Sequence, residues 1–252
     1  NQQHKQFKKK NSMENMLRSA FERAQAQFPK FVISRQVLRV EEPLAPNSSN
    51  YSFQLKQGNS STDGPLENLL NDSDAFILLA VAIGIKKQDT TLTPPWYGNY
   101  QVFNYPPQAV FNGAPAARAT EWQALLTIWN GKLSFKTGSL ERIKPSDTNE
   151  YLFAPAAADQ AATVISSRGQ FGYNSHGWVE QQGQLVLDGS QNNQFNLTLG
   201  SGDILAIDGL YTSGGAATNT AKNVVVLSCL GLNIANGAQS AKRFAESWQQ
   251  QQ

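Results

Sequence analysis

Residues 75–85 read AFILLAVAIGI, eleven positions without a polar side chain, and Lys86 and Lys87 close the run. A strand with one solvated face alternates polar and apolar residues, so a run that is apolar at every position has to be covered on both faces. The stretch is also far shorter than the roughly 20 apolar residues that a helix needs to cross a bilayer. It is expected to be a central strand, with other segments of the chain, or other molecules, supplying the covering layers.

Most other segments are strand-like. Residues 31–40 are rich in β-branched and apolar side chains and are followed by Pro43 and Pro46, while Tyr51, Phe53 and Leu55 alternate with Ser52, Gln54 and Lys56. Further short pieces fall at residues 133–136, 151–153, 163–166, 178–180, 185–187, 195–199, 204–210 and 224–232. Turn clusters such as Asp188-Gly189, Gly200-Ser201-Gly202 and Ser213-Gly214-Gly215 separate them. Turn signals at intervals of about 8–12 residues point to an all-β sandwich or barrel. Residues 93–111 carry four prolines and six aromatics, and because proline lacks the backbone donor they are expected to run extended without joining a regular central ladder.

One helix interrupts this body. Trp122, Leu125, Leu126 and Trp129 recur at helical spacing, and Asn130-Gly131 predicts a left-handed C-cap, which places a helix across the sheet surface. Pro155 and the alanine-rich residues 156–162 mark a seam. The expected organisation is an N-terminal arm at 1–29, a first β domain at 30–155, a second, smaller one at 156–237, and a C-terminal helix with a glutamine tail at 238–252. About twelve strands can be named, whereas two complete eight-stranded barrels would need about sixteen.

The arm is basic and amphipathic. Lys5, Lys8, Lys9 and Lys10 lead into a stripe of Met13, Met16, Leu17, Ala20, Phe21, Ala24 and Phe28, opposite Glu14, Asn15, Arg18, Ser19, Glu22 and Arg23. Asn11 or Ser12 is the expected cap and Pro29 the stop. With a β body following it, the arm is expected to pack on something else: an anionic membrane, a nucleic acid or a neighbouring copy of the chain. The sequence opens on Asn1 rather than Met and so leaves open what precedes it.

Charged residues make up only 16% of the 252 residues and the formal charge is +2, much of the positive excess lying in the first ten positions. An average soluble domain is about a quarter charged. A surface built instead from Asn, Gln, Ser, Thr, Gly and Ala suits broad contact with other subunits, and a near-neutral body offers no specific nucleic-acid site. Cys229, the single cysteine, excludes an intrachain disulfide and sits in an apolar run as a space-filler.

No catalytic pattern stands out. The histidines are His4, in the tail, and His176, in a glycine-rich turn, and neither has a nucleophile or metal-ligand spacing around it. Glu121, Glu141, Asp203 and Asp208 are available carboxylates, but acidic residues beside glycine turns are ordinary loop chemistry. No enzyme activity, metal or cofactor is expected. Trp96, Tyr97, Tyr100 and Tyr105 suit an intersubunit contact, because aromatics are enriched at interface centres, or a surface that stacks on sugars. Asn-X-Ser/Thr triplets begin at Asn47, Asn59, Asn71 and Asn196 and matter only in a secretory pathway.

Two segments, Asp74 through Lys87 and Val110-Phe-Asn-Gly leading through the helix to Ile128-Trp-Asn-Gly-Lys-Leu-Ser-Phe135, carry a resemblance over most of the chain. Together with the basic helix and the glycine-punctuated β body, they make the sequence resemble the major capsid proteins of tailless icosahedral bacteriophages with an internal membrane. The resemblance implies an all-β jelly-roll sandwich, leaning to two compact jelly rolls in one chain. It also implies a homotrimer that tiles a shell in the virion, other capsid proteins at the vertices, and the N-terminal arm facing an internal lipid membrane. The short second half departs from a two-barrel pattern. The alternative expectation is a carbohydrate- or receptor-binding spike or vertex protein.

Overall fold

The computed structural model describes residues 2–56, 67–89, 102–107, 110–111, 121–152, 177–200, 207, 209, 212–213, 216–217 and 221–241. The apolar run forms β3 (Ala75–Asp89), and it is central. It pairs antiparallel with β10 (Ala221–Ile234) on one side and β6 (Val179–Asp188) on the other, and β1 (Ile33–Pro43) completes the sheet beyond β10. The second sheet runs in the order β2 (Asn50–Gln54), β7 (Asn193–Thr198), β4 (Lys132–Thr137), β5 (Leu140–Asp147). A two-residue ladder, β8 (Thr212–Ser213) with β9 (Ala216–Ala217), lies in the excursion between β7 and β10.

With that excursion set aside, the eight long strands counted in chain order give sheets 1-8-3-6 and 2-7-4-5, the strand order of a single jelly roll. In both sheets strands from before residue 155 pair with strands from after it, so the pairing crosses the expected boundary between two β domains. Several expected strands are parts of one element or none. Residues 179–180, from the expected strand at 178–180, and residues 185–187 belong to the same strand, β6, and residues 148–151 form a 3-10 turn. Residues 163–166 lie outside the described residues.

The core lies between the sheets. Phe76, Leu78, Val81, Ile83 and Ile85 of β3, Leu38 and Val40 of β1, and Val225, Leu227 and Cys229 of β10 meet Tyr51, Phe53, Leu133, Phe135, Phe195 and Leu197 in one buried cluster. The Phe135 and Phe195 rings sit with centroids 4.5 Å apart. Pairing of β3 with β10 and β6 shifts at Leu79, a bulge that leaves both Leu78 and Val81 in the core cluster. Opposite it, a Cβ on Gly231 would stand 2.1 Å from the Ile77 carbonyl oxygen and 2.5 Å from the Phe76 ring, so only glycine fits.

The outer face of the first sheet is covered by α1 (Gln2–Gln27). Ala20, Ala24 and Phe28 are buried against Ala75, Ile77, Leu79, Leu232, Ile234 and Ala241, with Met16, Leu17 and Phe21 half-buried beside them. This corrects the expectation that the stripe packs outside the fold: its C-terminal half is one of the layers that the doubly apolar strand requires. The helix also begins at Gln2, running through the expected caps Asn11 and Ser12, and its last turn closes with Phe28 N–H donating to Ala24 O at 2.8 Å before Pro29. Trp178 covers Ala80, Ala82 and Leu230 farther along the same face.

The second helix, α2 (Glu121–Leu126), continues as a 3-10 turn through Asn130, and Ala124, Leu125, Ile128 and Trp129 enter the intersheet core rather than lying on a sheet surface. Gly131 is extended (φ −116°), not left-handed. Its role is clearance, because a Cβ there would meet Thr198 O at 2.3 Å. Thr148 ends the helix instead, its hydroxyl accepting from Gly131 N–H at 2.9 Å and donating to Ile128 O at 2.7 Å. Of the expected C-terminal helix, residues 238–241 are described.

Candidate assembly surfaces

The two outer faces of the sandwich are built differently. The central strands of the first sheet, β3 and β10, are largely apolar outside as well as inside, and α1 and Trp178 take that surface. The outer face of the second sheet is a set of cross-strand polar rungs: Asn50, Thr198 and Lys132; Ser52, Asn196 and Ser134; Gln54, Gln194 and Lys136. Thr198 Oγ1 donates to Asn50 Oδ1 at 2.9 Å, and Gln194 Nε2 donates to Asn196 Oδ1 at 2.6 Å. No element covers this face among the described residues, and alternating residues of β2 and β7 carry it.

At about 1.5 Å per residue, the 26-residue α1 extends for about 39 Å, and its described packing on the body runs from Met16 to Phe28. Lys5, Lys8, Lys9 and Lys10 are on its helical backbone, though their side chains and that of Met13 lie outside the described part. The exposed side carries Glu14, Arg18, Glu22 and Arg23, and Arg18 pairs with Glu22 at 3.2 Å, an exposed pair that contributes little to stability.

Of the expected contact aromatics, Trp96, Tyr97 and Tyr100 lie outside the described residues. Tyr105 is only 7% exposed and packs edge-on against Trp122 at 6.3 Å within its own chain, so its ring is not offered to a neighbour. Burial pushes its phenol up. Aromatic residues in a proline-rich segment read equally as surface or core until the strand beneath them is placed. Here Phe103 exchanges backbone hydrogen bonds with Ile85, carrying the segment onto β3 beyond the last residue paired with β6.

Both ends of the first sheet hold polar networks. At the end near Ala75, partial burial pushes the Asp74 carboxyl up, but donors from Asn236 N–H (2.9 Å), Asn233 Nδ2 (3.0 Å), Ser73 and Asn71 outweigh it and hold it below the usual carboxylate range. A polar cavity of about 570 Å³ opens beside it, lined in part by Asp72, Asp188, Ser190 and Asn236.

At the other end, Lys86 is buried and pairs with Glu41, which also accepts from Arg39 Nε at 2.8 Å. Burial lowers the Lys86 ammonium below its ordinary value, and Glu41 only partly offsets it. Glu42, beside these groups in sequence, is raised by burial and then by the charge of Glu67. On the inner side, Glu121, Lys87 and Asn223 form a second buried cluster.

Among the carboxylates considered for catalysis, Glu121 is fully buried and Glu141 is exposed on β5, while Asp203, Asp208 and His176 lie outside the described residues. No group of three His, Cys, Asp or Glu side chains suited to a metal occurs among the described residues. Burial pushes the Cys229 thiol far up, which makes it inert. No helix among the described residues is long and apolar enough to cross a membrane.

No family model matches the chain, and no curated protein matches it. Among solved structures, it is similar to PBCV-1 VP54, a viral major capsid protein whose crystal structure was fitted into a cryo-EM reconstruction of the virophage Sputnik. The TM-score is 0.31 and the identity 9%, over 85% of this chain and 45% of that one. The chain thus spans less than half the length of that neighbour, and a likeness this distant assigns neither family nor function.

Proposed function

We propose that the chain is a structural subunit of an icosahedral virus shell, acting by self-association and not as an enzyme. The observation that carries the reading is the 1-8-3-6 and 2-7-4-5 strand order with an N-terminal helix seated on one sheet. Jelly rolls of this order serve viral capsids, lectins and cupins. The low charge and the uncovered face of the second sheet, amide and hydroxyl apart from Lys132 and Lys136, favour the first use, because such a surface can lie against neighbouring subunits while burying few charges. Closed symmetry then turns repeated contacts into a shell, with a homotrimer as the building unit.

In this reading the arm faces the particle interior. The packing of Met16 to Phe28 on the first sheet supports assigning outside contact to the turns before it, where Lys5, Lys8, Lys9 and Lys10 stand. Near an anionic lipid surface each lysine contributes about 1 kcal/mol. Flotation with phosphatidylserine vesicles tests this: the intact chain should float, and replacement of the four lysines by glutamine should abolish flotation while leaving circular dichroism unchanged.

Electron microscopy of purified protein tests the assembly reading, which expects ordered arrays, rings or closed particles. Isolated monomers that bind a glycan, with binding lost in Trp96→Ala or Tyr100→Ala, would establish the spike reading instead.

A further inference from the structure

We infer that Lys87 and Asn223 form an intramolecular isopeptide bond, with Glu121 as the proton carrier. Lys87 on β3 and Asn223 on β10 are direct cross-strand partners in an antiparallel pair, which places their side chains side by side on the inner face. Both reach the same carboxylate oxygen: Lys87 Nζ lies 3.0 Å from Glu121 Oε1, and Asn223 Nδ2 donates to that atom at 2.7 Å.

The surroundings suit the reaction. Glu121 and Asn223 are fully buried, the Lys87 side chain is 18% exposed, and its Nζ stands 5.5 Å from the centroid of the buried Phe111 ring. Water is largely excluded, and so is free rotation of the carboxamide. Asn223 Nδ2 also donates to Ile207 O at 3.0 Å. Gly209, at φ +74°, lies so close that a Cβ would stand 2.9 Å from Cγ, Nδ2 and Oδ1 of Asn223. Asn223 Oδ1 is buried without a hydrogen-bond partner among the described residues, an arrangement that folded proteins normally avoid.

The step balances without an oxidant or reductant. Glu121 accepts a proton from Lys87 Nζ, and the freed amine adds to Asn223 Cγ, opening the carbonyl. As the intermediate collapses, the Cγ–Nδ2 bond breaks and a Cγ–Nζ bond remains. Nζ sheds two protons in all, relayed by Glu121, and both leave with Nδ2 as ammonium. Holding amine, acid and amide in one buried contact supplies the orientation that this uncatalysed exchange lacks in water.

Lys86 provides an internal control. One residue earlier, it points from the opposite face of β3, stands opposite Val224 and pairs with Glu41, a partner with no carboxamide nitrogen to expel. The cross-link would tie the two central strands of the first sheet covalently, in a chain whose single cysteine permits no disulfide.

The test is intact-mass spectrometry of the full chain, denatured, followed by tryptic mapping. The expected result is a mass short by one ammonia and a branched peptide joining the Lys87 and Asn223 segments, uncut after Lys87. Glu121→Gln and Lys87→Arg should each restore the full sequence mass, and Lys86→Arg should keep the link. A wild-type chain at full sequence mass after prolonged incubation would overturn the inference, whatever the variants do. So would an ammonia loss that maps to a succinimide such as Asn236-Gly237. Neither result bears on the shell reading, which rests on topology and association.

Discussion

The outer faces of the two sheets share one sandwich and differ in what they bury. On the first, Ala75, Ile77, Leu79, Leu232 and Ile234 lie under α1; on the second, Asn50, Ser52, Gln54, Gln194, Asn196 and Thr198 have no covering element among the described residues. The contrast follows from period. A strand apolar at every position has to find a second layer, while a strand alternating at every second residue is finished once its inner face is packed. The molecule thus keeps one face for its own helix and leaves the other for water or a neighbour.

Paired charge insertions break this contrast most sharply. Ile77→Asp puts an unpaired carboxylate beneath α1 and should cost about 4 kcal/mol or more, or prevent folding, whereas Ser52→Asp on the second sheet should stay within about 0.5 kcal/mol. Urea unfolding of the two variants checks it. Phe28→Ala, which empties the end of the helix contact, should cost about 3 kcal/mol in the same assay. Gly231→Ala sharpens the account of the bulge. Its Cβ would collide with Ile77 O, and a loss of about 1–3 kcal/mol is expected, read as a lower thermal midpoint.

The smallest effect concerns the rim. Because the folded-state carboxyl of Glu42 is raised above its ordinary 4.5, its cost to stability grows as the pH rises from 4.5 to the folded value and is complete above that, while well below pH 4.5 the cost is absent. Glu42→Gln should therefore stabilise the chain at pH 7 by a few tenths of a kcal/mol, about the size of an exposed charge pair. The gain should vanish by pH 4, as unfolding curves at the two pH values would show.

Much of this architecture is legible in the residues. The run at 75–85 marks β3 as central, and the alternation at Tyr51, Phe53 and Leu55 gives β2 and its buried face. What escapes a sequence reading is whatever depends on distant partners. β5 carries Glu141, Arg142, Lys144 and Pro145, a polar edge with no apolar alternation, and only its pairing with β4 makes it a strand. β6 passes through Gln181, Gln182, Gly183 and Gln184, so its two apolar ends look like separate strands, and that split inflates the strand count toward two domains. The stripe on α1 is plain, but its partner is not, since an amphipathic helix fits a sheet, a lipid surface or a second copy equally well. The Lys87, Glu121 and Asn223 cluster is less visible still, because it joins residues up to 136 positions apart through strand register.

Sedimentation velocity of the intact chain over a wide concentration range tests self-association most directly. Trimers or larger species, growing with concentration, are the predicted result. A single species at the one-chain mass of 27.6 kDa at every concentration would contradict it.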